Sequence, residues 1–306
     1  MVFSRRTLAA LVGALLAPVL TASTTAAAAH HPVQDRMMRR GTSTLNARTA
    51  YEMTTTLPNH TSMVTGRRIA VAGGGHGVTW NDDRLTPPTV QAAAGEPVES
   101  VFTAVHAAGR QTALFASKTK FALWQRSWPT SIDQYDIDLD NRSLTNAVRR
   151  DLKTTDRALT FVHLSDIDVV GHASGWLSPA YLAAVRRADA YVGRILAAID
   201  QAGETGETLV VVTSDHGGLG PDHSDSAAYA DYRIPFLVLG PDVPPGTNLY
   251  DRNPDYQPPR QGRPTYARGR QPIRNGAVAN LVTDVLGLPA VAGSQVDVLQ
   301  DLDVFR

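Results

Sequence analysis

The hydrophobic and polar positions of this chain follow the pattern of a protein that alternates strands with helices. Four short runs rich in β-branched and apolar residues predict strands at residues 112–117, 159–164, 208–213 and 235–239. Apolar residues recur at spacings of three and four through residues 179–202, after a Ser178-Pro179 start, and predict a long helix. This order predicts an α/β fold with a mostly parallel central sheet and helices on both faces.

The remaining segments complete this outline. Shorter helices are predicted at residues 98–108, 143–155 and 273–286. Residues 118–142 and 244–272 lack a regular pattern, so we expect loops or a small cap over the strand ends, where substrates are usually selected. The run at 208–213 is apolar throughout, which is typical of a central strand covered on both faces.

The N-terminus has the order of a secretory signal peptide. Arg5 and Arg6 precede an apolar run at residues 8–20, which small residues follow up to Ala29. The arginine pair resembles a twin-arginine export signal, and an ordinary Sec signal is the alternative. The apolar run is shorter than the roughly 20 residues of a membrane span. We therefore expect residues 1–29 to be removed and residues 30–306 to form one secreted or periplasmic domain that does not cross a membrane.

Composition narrows the class of protein. The chain contains no cysteine, so stability outside the cytoplasm must come from core burial and bound metal rather than disulfides. Lys+Arg and Asp+Glu both number 29, and no basic run stands out. A neutral chain of this kind gives no support to a nucleic-acid-binding surface.

Three segments concentrate possible metal ligands. Asp168 and His172 follow the strand predicted at 159–164, and we expect them to reach one ion from a tight turn relieved by Gly171. Asp215 and His216 directly follow the next apolar strand, and His223 lies in the loop after them. In open α/β sheets ligands bind beyond the carboxyl ends of the strands. An isolated Asp-His pair is more often a solvated turn, but two pairs with a third histidine favour a metal site. Oxygen and nitrogen donors suit zinc, with manganese or iron as alternatives.

A nucleophile candidate lies upstream of these ligands. Residues 57–65 predict a short helix, with Pro58 in its first turn and Gly66 at its end. Thr56 would then be the N-cap, where free backbone N–H groups and the helix dipole favour a phosphate. Simple N-capping is the alternative role for this threonine. Coordination to a metal would lower the pKa of its hydroxyl and activate it.

These segments together carry a family resemblance. Thr56-Leu-Pro-Asn-His with Val64-Thr-Gly66, then His76-Gly-Val-Thr-Trp-Asn81, Asp168-x-x-Gly-His172 and Asp215-His216-Gly217 resemble, in order, the type I phosphodiesterase/nucleotide pyrophosphatase family of the alkaline phosphatase superfamily. The resemblance covers residues 41–240. It implies an alkaline phosphatase-like fold and a single hydrolase domain over residues 30–306.

The resemblance also implies roles for individual residues. Thr56 matches the catalytic threonine that forms a phospho-enzyme, and Asn81 matches the asparagine that donates to a phosphate oxygen in the transition state. Two divalent ions, with zinc expected, would act on a small phosphoester. Asp168 and His172 match ligands of one ion, and Asp215 and His216 match ligands of the other. The family completes the first site with a later histidine, for which His223, the last histidine here, is the candidate.

One family element has no counterpart that we can align. The family begins with a buried strand ending in Asp-Gly, whose aspartate binds the nucleophile-side metal, whereas residues 30–41 resemble the helix that follows it. We therefore expect the first strand to be missing, with a gap in the sheet or a substitute for it. The leading hypothesis is hydrolysis of phosphodiesters or phosphomonoesters through a phosphothreonine. The alternative is a non-catalytic relative that binds metal or phosphorylated ligands. A sulfatase would need a cysteine or serine where Thr56 stands.

Overall fold

The fold is built on one large sheet. The computed structural model describes residues 7–13 and 32–305. The described strands form an eight-stranded sheet in the order β4-β3-β5-β1-β6-β7-β2-β8. Their bounds are β1 Thr7–Gly13, β2 Thr42–Arg48, β3 Thr112–Ala116, β4 Gln134–Ile137, β5 Leu159–Leu164, β6 Thr208–Thr213, β7 Arg233–Leu239 and β8 Thr247–Asn248.

Helices cover both faces of this sheet. Their bounds are α1 Pro32–Arg40, α2 Thr56–Thr65, α3 Val90–Ala94, α4 Val101–Ala107, α5 Ala122–Ser127, α6 Asn141–Thr154, α7 Asp166–Ser174, α8 Pro179–Gln201, α9 Tyr229–Tyr232, α10 Leu249–Arg252 and α11 Val278–Val285. Short 3-10 turns lie at Val71–Gly73, Thr119–Phe121 and Asn275–Ala277.

The sheet separates two hydrophobic layers. Helices α1, α6, α7 and α8 pack on one face, and α2, α4 and α11 pack on the other. Within β6, Val210 and Val212 belong to the first layer, whereas Leu209 and Val211 belong to the second. Successive side chains of a strand point to opposite faces, so this all-apolar strand needs cover on both. The predicted α/β class, with helices on both faces, is confirmed.

The strand directions create one functional edge. Strands β4, β3, β5, β1 and β6 run parallel, so their carboxyl ends meet on the same side of the sheet. Strand β7 is antiparallel to both β6 and β2. Strand β2 therefore runs with the parallel set, and the segment after it enters the same edge as the segments after β5 and β6.

Strand β1 corrects the expectation of a missing first strand. It lies between β5 and β6, where Leu8 pairs with both Leu159 and Leu209, and where Val12 pairs with Thr213. The described sheet therefore has no gap, because the N-terminal segment supplies the strand. A short apolar run has the same pattern in a buried strand as in a signal peptide, and periodicity alone does not separate them.

Two points concern the segment that contains this strand. First, no carboxylate lies between β1 and the start of α1, since the first 34 residues contain no Asp or Glu. Second, β1 lies inside the predicted signal peptide at residues 1–29, the rest of which is outside the described residues. A chain cleaved after Ala29 would lose β1.

Other differences from the predictions are local. Residues 118–142 are not a loop, because they contain α5 and the edge strand β4. Strand β2 was not predicted, since Thr42–Arg48 mixes polar and apolar residues in the manner of a strand near a sheet edge. Residues 244–272 are irregular apart from the short elements β8 and α10. Among the described residues, no helix has the length and apolar character needed to span a membrane.

Candidate active site

The candidate nucleophile lies at the start of a fully buried helix. Thr56 is the first residue of α2, and the extended Thr55 before it is the N-cap, one residue earlier than predicted. Gly66 ends the helix with a left-handed backbone (φ 64°), as predicted. The Asn59 side chain accepts a hydrogen bond from Ala50 N (2.9 Å) and so fixes this helix to the chain that leaves β2.

Asp168 and His172 reach the site from a helix rather than from a tight turn. Both lie on α7, one turn apart, so that they share a face of the helix. Gly171 does not relieve a turn. It allows the Trp176 ring to approach, since a Cβ atom at Gly171 would lie 2.7 Å from Trp176 Cε2. Trp176 in turn contacts the rings of His172 and His223. The predicted tight turn is therefore wrong, although the two residues still converge.

Three side chains form a group that can hold a metal ion: Asp168, His172 and His223. The Nδ1 atoms of His172 and His223 lie 3.0 Å from Pro221 O and 2.7 Å from Thr54 O. Because a carbonyl oxygen only accepts, both Nδ1 atoms must carry the proton. In the neutral imidazole each Nε2 atom then presents a lone pair to the centre of the group.

These lone pairs face one another without a donor between them. The two Nε2 atoms are 3.1 Å apart, and Asp168 Oδ1 lies 3.5 Å from His172 Nε2 and 3.6 Å from His223 Nε2. Asp168 Oδ1 is buried and has no hydrogen-bond partner. Asp168 and His223 are buried and His172 is partly exposed, and three electron-pair donors that converge in this way repel one another unless a cation lies among them. Histidines whose Nδ1–H groups are held by carbonyl oxygens are the usual arrangement around zinc, so the residues present fit a metal ion.

Asp215 and His216 lie on the nucleophile side of this group. His216 Nε2 is 3.2 Å from Asp215 Oδ2, 3.5 Å from Thr56 Oγ1 and 3.7 Å from Asp168 Oδ1. Because both carboxylate oxygens lie so close to His216 Nε2, Asp168 Oδ1 and Asp215 Oδ2 are less than about 7 Å apart. Carboxylates at this distance can bind two metal ions that are about 4 Å apart. The structure therefore brings the predicted ligands and the nucleophile together.

The electrostatics of the buried acids favour their charged forms. Burial by itself would raise the pKa of Asp215, but His216 and His60 hold that pKa well below its usual range. Burial opposes the charge of Asp168 in the same way, and the Lys118 ammonium lowers its pKa. Burial also lowers the pKa of His223 to about 4, so this imidazole is neutral and able to bind a metal at neutral pH.

Asn81 is held so that its amide nitrogen is free. Its Oδ1 atom accepts from Leu57 N (2.9 Å) and from Lys120 Nζ (3.0 Å), and its backbone oxygen accepts from Lys120 Nζ (2.6 Å). None of the hydrogen bonds described for this region uses Nδ2. The side chain thus lies next to the nucleophile with a donor to offer.

Lys118 and Lys120 are site residues that sequence reasoning missed. Lys118 Nζ lies 2.5 Å from Asp168 Oδ2 and 3.5 Å from Thr56 Oγ1. Both lysines directly follow β3, at the same edge of the sheet as the acids that follow β5 and β6. Their position after a predicted strand was the signal available, but residues 118–142 were interpreted as a loop.

Comparison with known proteins identifies the family. The model of the type I phosphodiesterase / nucleotide pyrophosphatase family matches residues 20–227, which is more than half of the chain. This chain is a member of that family. Its relatives are phosphodiester and pyrophosphate hydrolases, so the resemblance inferred from the motifs is confirmed.

Solved structures agree on the fold. Murine ectonucleotide pyrophosphatase/phosphodiesterase 5, as an inactive threonine-to-alanine variant in complex with AMP, superposes with a TM-score of 0.71 at 12% identity, covering 99% of this chain and all of that one. The human protein of the same name gives a TM-score of 0.67 at 13% identity, with 98% and 100% covered. At such identities the likeness shows the fold alone, which is alkaline phosphatase-like.

One curated protein matches the chain over a short segment. Arylsulfatase K of Xenopus laevis is 37% identical over 73 residues. The match covers 22% of this chain and 14% of that protein, so the chain spans only a small part of this relative's length.

Proposed function

We propose that this protein is a metal-dependent phosphoester hydrolase that acts through a phosphothreonine intermediate. The observation that carries the proposal is the position of the Thr56 hydroxyl. It lies at the start of α2, 3.5 Å from both His216 Nε2 and Lys118 Nζ, beside a group of converging metal ligands. A hydroxyl so placed can attack a phosphate bound at the helix N-terminus.

The reaction would proceed in two displacements. In the first, Thr56 Oγ1 forms a bond to phosphorus while the bond from phosphorus to the leaving ester oxygen breaks. In the second, water attacks phosphorus and the bond from phosphorus to Thr56 Oγ1 breaks, which releases phosphate from a monoester substrate or a phosphomonoester from a diester. The leaving ester oxygen of the first step takes up the proton that Thr56 loses, and a proton of the attacking water regenerates the Thr56 hydroxyl. Asn81 Nδ2 would donate to a terminal phosphate oxygen as charge develops on it. A small phosphoester is the proposed substrate, in keeping with the AMP bound by the murine neighbour.

We propose zinc as the metal, held at two places. Asp168, His172 and His223 would hold one ion. Asp215 and His216, with the Thr56 oxygen, would hold the other. Bound metal would supply positive charge that lowers the pKa of the Thr56 hydroxyl and stabilises the displaced oxygen.

One observation favours a second candidate, a relative that binds metal or phosphorylated ligands without turnover. The nucleophile-side site lacks the carboxylate that the family places after the first strand, because the first 34 residues contain neither Asp nor Glu. The intact set of remaining side chains supports the hydrolase as the first candidate.

The test uses the threonine pair at the start of α2. Thr56→Ala should abolish hydrolysis of bis(p-nitrophenyl) phosphate and p-nitrophenyl phosphate, and it should leave the zinc content of the protein nearly unchanged. Thr55→Ala is the matched control, since the Thr55 side chain makes no cap hydrogen bond. Undiminished turnover by Thr56→Ala would rule out the phosphothreonine mechanism. A wild type that binds zinc and phosphate but hydrolyses neither ester would establish the second candidate.

We also propose that the protein is exported by a twin-arginine or Sec signal, on the N-terminal pattern alone. A molecule that is cleaved after Ala29 during export cannot retain β1, because β1 lies within residues 1–29. The intact mass of the protein recovered from the culture medium or cell envelope of an expressing bacterium tests the proposal. A product that retains residues 1–29 would show that this segment is not a cleaved signal.

A further inference from the structure

Lys118 lies beside the nucleophile and Lys120 beside Asn81, in a chain whose basic residues are mostly arginine. The sequence contains 26 arginines and three lysines, and two of those lysines, Lys118 and Lys120, lie in the candidate active site. An ammonium group is a compact charge with three donors, whereas a guanidinium is a wide planar fork. Beside a bound phosphate, each lysine would therefore act as a compact point charge.

The lysines stand on a rigid support. They flank Thr119 in the 3-10 turn Thr119–Phe121 that follows β3. Phe121 is fully buried and packs edge-on against the rings of His60 and Trp124. Both ammonium groups are thus held at the carboxyl edge of the sheet by a side chain anchored in the core.

Lys118 is compatible with metal binding at Asp168. It contacts Oδ2 of that carboxylate (2.5 Å), whereas Oδ1 is the oxygen that faces His172 and His223. The two oxygens of one carboxylate are therefore divided between the ammonium and the metal group. Lys118 can stay beside Thr56 Oγ1 when the metal group is filled.

Lys120 has spare charge and a spare donor. It uses two donors on the neutral oxygens of Asn81, and no carboxylate forms an ion pair with it among the described residues. Burial and the neighbouring Lys118 lower the pKa of Lys120 to about 8, and the acids Asp168, Asp83 and Asp215 act in the opposite direction from a distance. Asp168 and Asp215 are candidate metal ligands, so a bound metal ion would neutralise part of their negative charge.

We propose that Lys118 and Lys120 bind the second negative charge of a phosphomonoester, and that this site prefers monoesters to diesters. The proposal rests on the proposed hydrolase function and names its substrate class. A monoester at neutral pH has three terminal oxygens and a charge near −2, because its second pKa is about 6. A diester has two terminal oxygens and a charge of −1. The ammonium groups of Lys118 and Lys120 add positive charge and donors to those of the metal site and Asn81. They therefore stabilise a bound monoester, with its extra charge and extra terminal oxygen, more than a bound diester.

The experiment compares kcat/KM for p-nitrophenyl phosphate and bis(p-nitrophenyl) phosphate in the zinc-loaded full-length protein. The wild type should prefer the monoester. Lys120→Met should lower the monoester-to-diester ratio by about 10- to 100-fold, the worth of a hydrogen bond to a charged group. Lys153→Met, which removes the only other lysine, at an exposed position on α6, should leave the ratio unchanged.

A second variant separates substrate binding from the positioning of Asn81. Lys120→Gln keeps a donor for the Asn81 oxygens but removes the charge. If Lys120 only positions Asn81, Lys120→Gln should restore activity on both esters, and Lys120→Met should slow both equally. Either an unchanged ratio or a wild type that prefers the diester would overturn the proposal.

A binding measurement keeps this proposal distinct from the proposed function. Inorganic phosphate, largely a dianion at about pH 7.5, where Lys120 is still mostly charged, should bind the wild type and Lys153→Met about 10- to 100-fold more tightly than Lys120→Met, as followed by calorimetry. If the wild type hydrolyses neither ester but phosphate binding still depends on Lys120, the proposed hydrolase function is refuted and the proposed role of the lysines is supported. If phosphate binds equally to all variants, the proposed role of the lysines is refuted, whatever the activity.

Discussion

His223 offers the sharpest test of the metal centre, because its role depends on one hydrogen bond. Thr54 O accepts from its Nδ1–H at 2.7 Å, so Nε2 carries the lone pair 3.6 Å from Asp168 Oδ1. Replacing His223 by alanine removes one of three converging donors. We expect the first zinc ion to bind much more weakly in this variant, in which His216 also loses the ring that stacks on it at 3.5 Å.

The size of the effect can be bounded. Loss of groups that merely hold a zinc ligand in place costs about 10- to 100-fold in affinity. Loss of the ligand itself must exceed this, so the dissociation constant should rise by more than about 100-fold, or roughly 2.7 kcal/mol. A zinc concentration of 100 times the wild-type dissociation constant should stabilise the wild type by about 2.7 kcal/mol and His223→Ala by less than about 0.5 kcal/mol.

The assay is a zinc titration against a chromophoric chelator, with urea unfolding at matched zinc concentrations. His106→Ala is the control, since His106 lies 44% exposed on α4 and remote from the ligand group. If His223→Ala takes up the first equivalent of zinc with wild-type affinity, the tautomer argument and the assignment of His223 are both refuted.

Three further predictions concern other parts of the chain. Asn81→Ala should lower kcat by about 10²- to 10³-fold at unchanged zinc content, because the Nδ2 donor is lost. A kcat equal to that of the wild type would contradict this role. His76, whose Nδ1 accepts from Val78 N and whose Nε2–H donates to Ser62, has its pKa lowered by burial to about 3. As the pH falls, the unfolded chain protonates this histidine at a higher pH than the folded protein does. Below pH 6.5 the free energy of unfolding should therefore fall by up to about 1.4 kcal/mol per pH unit. Urea unfolding at pH 7 and pH 5 measures this change, and equal stability at the two pH values would contradict the prediction. A chain starting at residue 30 should lack a cooperative thermal transition by circular dichroism, because β5 and β6 lose a shared partner; a sharp melt would show that the sheet closes without β1.

The elements that carry the ligands could be read from local pattern. Strands β5 and β6 have the predicted bounds, and α8 ends within one residue of the prediction. Their signals are strong because a strand covered on both faces is mostly apolar, and the apolar residues of an amphipathic helix recur every three or four positions. Asp168 and Asp215 follow such strands directly, so the topology of a parallel sheet was enough to predict that they meet.

Tertiary contacts decided what the local pattern left open. The apolar N-terminal run suits a signal peptide or a buried strand equally, and only its pairing with β5 and β6 makes it a strand in this structure. The Asp168 segment is a helix rather than a turn, and its Gly171 lies against the Trp176 ring, a contact that the local pattern does not contain. Lys118 reaches Asp168 across 50 residues of sequence, a contact that no local periodicity contains.

The division has a physical basis. The amino-acid sequence by itself determined three features: the strands buried on both faces, the helical periodicity and the residue types of the metal ligands. Each of these is visible in residues that are neighbours along the chain. The proton positions on His172 and His223 depend on carbonyl oxygens 49 and 169 residues away. Such long-range hydrogen bonds exist only after the chain has packed, so only the tertiary structure decided which nitrogen of each ring faces the metal site.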